Sequence, residues 1–109
     1  MPRLLTDYEL MIMLAILRLR NDAYGVTISR ELEETAGRAT TLGAVYLALD
    51  RLEGHGLVTS ALGEATAQRG GRAKKYFRVT ARGLNAVRTT RRAFVALWTG
   101  IPELQGGTA

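Results

Sequence analysis

The chain has 109 residues, with 15 Lys+Arg against 10 Asp+Glu, one His and no Cys. A chain of this length buries one modest core, which excludes a two-domain enzyme. The missing thiols exclude disulfides, Fe–S clusters and Cys-based zinc sites, and a single His leaves no His-rich metal centre, so no metal and no cofactor is expected. Charge is unevenly placed: residues 1–68 carry 6 basic and 9 acidic side chains, whereas residues 69–109 carry 9 and 1. Such focusing predicts a polyanionic partner, nucleic acid first, with a merely solubilising face as the alternative.

The longest apolar run, Leu10 to Leu17, is too short for a bilayer span of about 20 residues. Asp7 and Glu9 precede it and Arg18 and Arg20 follow it, the reverse of a signal peptide and the order that suits a helix dipole. A cytoplasmic protein without membrane contact is expected. Thr6-Asp7-Tyr8-Glu9 has the spacing of a capping box and opens a first helix over about Thr6 to Leu19, with Leu10, Met13, Leu14 and Leu17 as its apolar stripe. Asn21-Asp22 makes a turn, and Tyr24, Ile28 and Leu32 mark a second helix that Gly37 ends. Tyr24 reads as a core residue rather than a ligand site.

Thr40 or Thr41 caps a third helix whose stripe is Leu42, Val45, Tyr46, Leu49 and Leu52, closed by Gly54-His55-Gly56. Thr41, Ala44, Leu47, Ala48 and Arg51 face elsewhere. The period then changes. Leu57–Leu62 and Lys74–Val79 form two β-rich runs of a hairpin, separated by a stretch holding Gly63, Gly70 and Gly71, with Arg69, Arg72, Lys74, Lys75 and Arg78 on its basic side. Alternation sends Phe77 and Val79 to the core and Tyr76 outward.

Thr80 caps a last helix in which Leu84, Val87, Arg91, Phe94 and Trp98 recur at spacings of 3 and 4, a heptad seam, before Gly100 and Pro102 stop it. The aromatics exceed what so small a core covers, so a partner helix is expected, most simply from a second copy of the chain; packing back on its own core is the alternative. Doubled across a two-fold axis, Phe94 and Trp98 could also form a slot for a flat hydrophobic effector.

Helix, helix, helix, basic hairpin, helix is the winged helix-turn-helix order: a mainly α fold with a small β-hairpin and a C-terminal dimerisation helix. The expected units are residues 1–79 for DNA binding, 80–100 for pairing and 101–109 as a loose tail. A groove-reading helix needs small or polar groups on its outer side, which Thr41, Gly43, Ala44 and Ala48 supply, with Thr40, Tyr46, Leu47 and Arg51 beside them. Thr40 and Thr41 serve as caps in the bland alternative. Tyr46 packs its ring while offering its hydroxyl to a phosphate, with a purely core role as the alternative, and Arg51 either meets a phosphate or pairs with Asp50 and Glu53. Arg69, Gly70, Gly71, Arg72, Lys74 and Lys75 supply a mobile, positive wing. His55 reads as a helix-end group.

Ala23-Tyr24-Gly25, Leu42-Gly43-Ala44-Val45-Tyr46 with Leu49-Asp50-Arg51-Leu52-Glu53, Gly56-Leu57-Val58, Arg69-Gly70-Gly71-Arg72 and Lys75-Tyr76-Phe77-Arg78-Val79-Thr80 with Gly83 run in order over roughly residues 6 to 90. In these stretches the chain resembles the PadR-like transcriptional regulators, in their short form. The resemblance implies a homodimeric DNA-binding repressor that pairs through its C-terminal helix and is often released by a small aromatic or hydrophobic effector. Two recognition helices related by a two-fold axis require a pseudo-palindromic operator with half-sites about 10 bp apart or a multiple of that. An aromatic-ligand sensor and a protein adaptor using the basic wing are the alternatives. An enzyme is not expected, because Glu31, Glu33 and Glu34 line a helix surface with no His or nucleophile converging on them.

Overall fold

The computed structural model describes residues 4–63 and 74–105. Along the chain these form α1 (Asp7–Leu19), α2 (Gly25–Ala36), α3 (Leu42–Gly54), β1 (Val58–Leu62), β2 (Lys75–Val79) and α4 (Ala81–Trp98), with single 3-10 turns at Arg20–Asp22 and Pro102–Leu104. The second of these turns gives the expected loose tail some local order.

α1 starts as its sequence dictates. The Thr6 hydroxyl accepts from the Glu9 N–H at 3.2 Å, and the Glu9 carboxylate accepts from the Thr6 N–H at 2.9 Å, so two orphan donors are satisfied reciprocally. Its buried face differs from the expected stripe: Ile12, Met13, Ala15 and Ile16 are buried, while Leu14 is exposed and Leu10 and Leu17 are half-buried. An unbroken apolar run has no polar side to orient it, so the packing of its neighbours decides which face goes in. α2 ends at Gly37 in the left-handed region (φ 67°), where the Arg38 N–H reaches the Leu32 carbonyl at 3.0 Å. α1 and α2 are tied at the surface by Arg18 and Glu31 (2.7 Å). Hydrogen bonds from Thr35 and then Arg18 hold the Glu31 carboxyl below the usual carboxylate range.

One core joins Met13 and Ile16 of α1, Ile28 and Leu32 of α2, Val45, Leu49 and Leu52 of α3, Phe77 of β2 and Val87 of α4. The strands are antiparallel with Val58 opposite Val79, Ser60 opposite Phe77 and Leu62 opposite Lys75. Phe77 is buried and Val79 half-buried, as the alternation predicts. On the other edge of β2, the Phe77 N–H donates to the Ala23 carbonyl at 2.8 Å, which lays the turn ahead of α2 along the strand. Tyr76 is not an open platform. It is half-buried, with its ring against that of Tyr24 edge-to-face at 5.5 Å.

α4 divides into two halves. Thr80 caps it, accepting from the Gly83 N–H (3.0 Å) and donating to the Gly56 carbonyl (2.7 Å). Gly83, Ala86, Val87 and Thr90 are buried, so the first half completes the same core as residues 4–79. The buried Thr90 hydroxyl accepts from the Leu5 N–H at 3.0 Å and donates to the Ala86 carbonyl at 2.8 Å, fastening the start of the chain to this helix. From Phe94 onward every described side chain is exposed, and the molecule's longest extent is 57 Å. Phe94 and Trp98 therefore do not pack back on their own core.

Candidate nucleic-acid interface

α3 presents its N-terminal half to solvent. Thr41 caps it, its hydroxyl accepting from the Ala44 N–H at 3.1 Å. Thr41, Leu42, Gly43, Tyr46, Leu47 and Arg51 are exposed and Ala44 is half-buried, while Val45, Ala48, Leu49 and Leu52 are buried. Two expectations are corrected here. Ala48 lies inward because it follows Val45 by three and precedes Leu52 by four, on the core side of the helical repeat. Leu42, the first helical residue, lies off that side and is 44% exposed.

A Cβ built at Gly43 meets only the Thr41 hydroxyl, at 4.0 Å. Nothing among the described residues requires glycine there, although glycine costs a helix about 1 kcal/mol relative to alanine. Gly43→Ala is therefore expected to raise the melting temperature slightly while weakening duplex binding, because the methyl holds the helix off the groove. Thermal melting and a duplex titration on the same sample check both signs.

Tyr46 is not purely a core residue. Its ring lies over Gly25, the first residue of α2, where a Cβ would collide with the ring and hydroxyl, yet the side chain remains 40% exposed. It braces the two helices against each other and still shows an edge to solvent. Thr40 faces back: its hydroxyl bonds that of Tyr8 at 2.7 Å. Arg38, 3.7 Å from Asp7 and stacked over Tyr8, supports the same turn. Arg51 is exposed and makes no ion pair among the described residues. The acidic neighbour expected for it, Glu53, instead accepts from Ser60 at 2.7 Å and lies 3.9 Å from Lys75.

The wing lysines are engaged within the chain, which charge counting alone does not reveal. Lys75 sits beside Glu53 and over the Phe77 ring, and the Lys74 ammonium donates to the Tyr24 hydroxyl at 2.7 Å. Arg69, Gly70, Gly71 and Arg72 lie outside the described residues. On α4, Leu84 is half-buried and Val87 belongs to the chain's own core, leaving Arg91, Phe94 and Trp98 of the heptad seam exposed. Sequence reasoning missed Leu97, the most exposed of these apolar residues at 77%. It joins Phe94 and Trp98 on the exposed end of α4, with Ile101 exposed just past the end of the helix. Among the described residues no group of three potential ligands could hold a metal, and no helix is long and apolar enough to cross a membrane.

The model of the transcriptional regulator PadR-like family matches residues 13–89, and no curated protein matches the chain. Among solved structures it is similar to a PadR family transcriptional regulator from Eggerthella lenta (26% identity, TM-score 0.68, covering 90% of this chain and 83% of that one). It shares its fold with a PadR-like transcriptional regulator from Bacillus cereus (22%, TM-score 0.71, 93% of each chain) and a PadR family transcription regulator from Clostridium difficile (24%, TM-score 0.68, 92% and 100%). The matched span takes in α2, α3, both strands and the buried start of α4, the parts that build the exposed α3 surface. The chain belongs to the PadR-like family of transcriptional regulators, DNA-binding proteins rather than enzymes.

Proposed function

We propose that this regulator is a cytoplasmic homodimeric repressor that binds a pseudo-palindromic duplex operator. In this proposal Thr41, Gly43, Ala44, Leu47 and the edge of Tyr46 meet the major groove, Arg51 meets a phosphate, and Thr40 holds the helix from behind. The wing, with Arg69, Gly70, Gly71, Arg72 and Lys75, lies along the adjoining backbone, and the outer half of α4 pairs with its symmetry mate. A small hydrophobic effector would act where Phe94 and Trp98 of the two copies meet. The observation that carries the DNA contact is the α3 surface: Thr41, Gly43, Tyr46 and Leu47 stand clear of the core at its N-terminal end with Ala44 half-buried between them, and the exposed Arg51 lies beyond them. A helix so decorated can bring its backbone up to base edges.

Footprinting tests the geometry, with two protected half-sites about 10 bp apart or a multiple of that as the expected result and one asymmetric half-site as the result against it. Arg51→Ala is expected to reduce the slope of log affinity against log salt by about 0.9 for each phosphate that the side chain neutralises in the wild type. An unchanged slope removes Arg51 from the interface.

A further inference from the structure

We infer that Lys74 is a positioning residue that locks the wing to the turn ahead of α2 through Tyr24, and so sets the angle between the wing and the recognition helix α3. The inference rests on the proposed DNA contact of both elements and goes beyond it by assigning Lys74 to Tyr24 instead of to a phosphate. The Lys74 ammonium lies 2.7 Å from the Tyr24 hydroxyl and 3.9 Å from the centre of its ring, so a single side chain combines a charge-assisted hydrogen bond with a cation–π contact. A free surface lysine keeps its rotamer freedom. This one is folded back on its own protein.

Three consecutive residues each hold a different part of the interface. The Ala23 carbonyl accepts from the Phe77 N–H of β2 at 2.8 Å. The Tyr24 ring meets Tyr76 of β2 at 5.5 Å and the Lys74 ammonium. The bare backbone of Gly25 seats the Tyr46 ring of α3. Gly63, whose N–H donates to the Lys74 carbonyl at 2.7 Å, closes the pairing, and a Cβ there would come within 2.6 Å of the Tyr76 ring. Ala23-Tyr24-Gly25 is thus a joint with the wing on one side and α3 on the other. Loosening Tyr24 from Lys74 frees the wing without touching any surface that faces DNA.

The test uses the full chain and a labelled duplex recovered by selection from a random library, with Lys74→Met, Tyr24→Phe and the double variant. Lys74→Met removes both contacts and is expected to weaken binding about fivefold, Tyr24→Phe removes the hydrogen bond but keeps the ring and is expected to weaken it about twofold, and the double variant is expected to bind no more weakly than Lys74→Met. The salt slope stays unchanged throughout, and hydrogen exchange at the Phe77 amide of the free protein accelerates in both single variants. A Lys74→Met slope lower by about 0.9, a Tyr24→Phe variant that binds like the wild type, or effects that multiply in the double variant overturn the inference while leaving DNA binding intact. If the wild type selects no duplex, the DNA proposal fails. Exchange at Phe77 then decides the joint alone, and unchanged protection in both variants overturns it.

Discussion

Replacing Phe94 and Trp98 together by Glu is expected to convert a dimer into a monomer and to lower operator affinity by about two orders of magnitude or more. The two rings are 53% and 50% exposed in the single chain, so about half of each large aromatic surface, roughly 100 Å², is left to bury against a partner. A two-fold axis doubles the pair to four rings, which at about 25 cal/mol per Å² comes to about 10 kcal/mol of apolar burial. That is of the same order as the cost of the translational and rotational freedom given up on association. Four carboxylates at the seam remove it and add repulsion. The folded unit survives, because the outer half of α4 contributes nothing to the core, and the circular dichroism spectrum should therefore be retained. Light scattering after gel filtration reads the outcome. A double variant that remains dimeric moves the interface elsewhere, and a monomeric wild type ends the homodimer proposal.

Gly83→Ala is expected to destabilise the fold by about 3 kcal/mol, at the severe end of overpacking changes, and to lower the melting temperature by more than about 10 °C. Propensity alone predicts the opposite sign, since alanine favours a helix by about 1 kcal/mol over glycine. The added methyl has nowhere to go. It would run into the Leu57 carbonyl oxygen and sit 2.9 Å from the end of the Met13 side chain. Met13 can move, but the Leu57 carbonyl is fixed by the bond it accepts from the Thr80 N–H at 3.0 Å. Gly54→Ala serves as a control, since a Cβ there meets nothing within 4 Å. Denaturant melts of both variants check the contrast, and a Gly83→Ala protein as stable as the wild type shows that α4 shifts off β1 without penalty.

What is legible in the sequence follows local rules. Thr6 and Glu9 form their reciprocal cap, Gly37 takes its left-handed conformation, Thr41 and Thr80 cap where hydroxyls are needed, and Phe77 faces the core by simple alternation. Local rules fail where packing from several directions decides. Every residue in the heart of α1 is apolar, so no pattern can say that Met13 goes in and Leu14 stays out. In α3 a stripe drawn through Leu42 and Tyr46 follows the wrong edge, and small Ala48, which that stripe places outward, fills a tight spot against the core. On α4 a heptad seam points to Arg91 and passes over Leu97. Lys74 counts as positive charge in any sequence tally, and only the third dimension shows it engaged by a tyrosine fifty positions away.

α4 is continuous from the buried Thr90 to the exposed Trp98, with no joint between the anchored part and the overhang. In such a molecule the overhang acts as a ruler graduated in helical turns. A single residue inserted after Arg92 would rotate everything beyond it by about 100°, swinging the Phe94–Trp98 side around the axis and presenting a different flank to the proposed symmetry mate. Sequence drift in this stretch can proceed by substitution but not by single-residue insertion, unless the outer apolar stripe is rewritten in step with it.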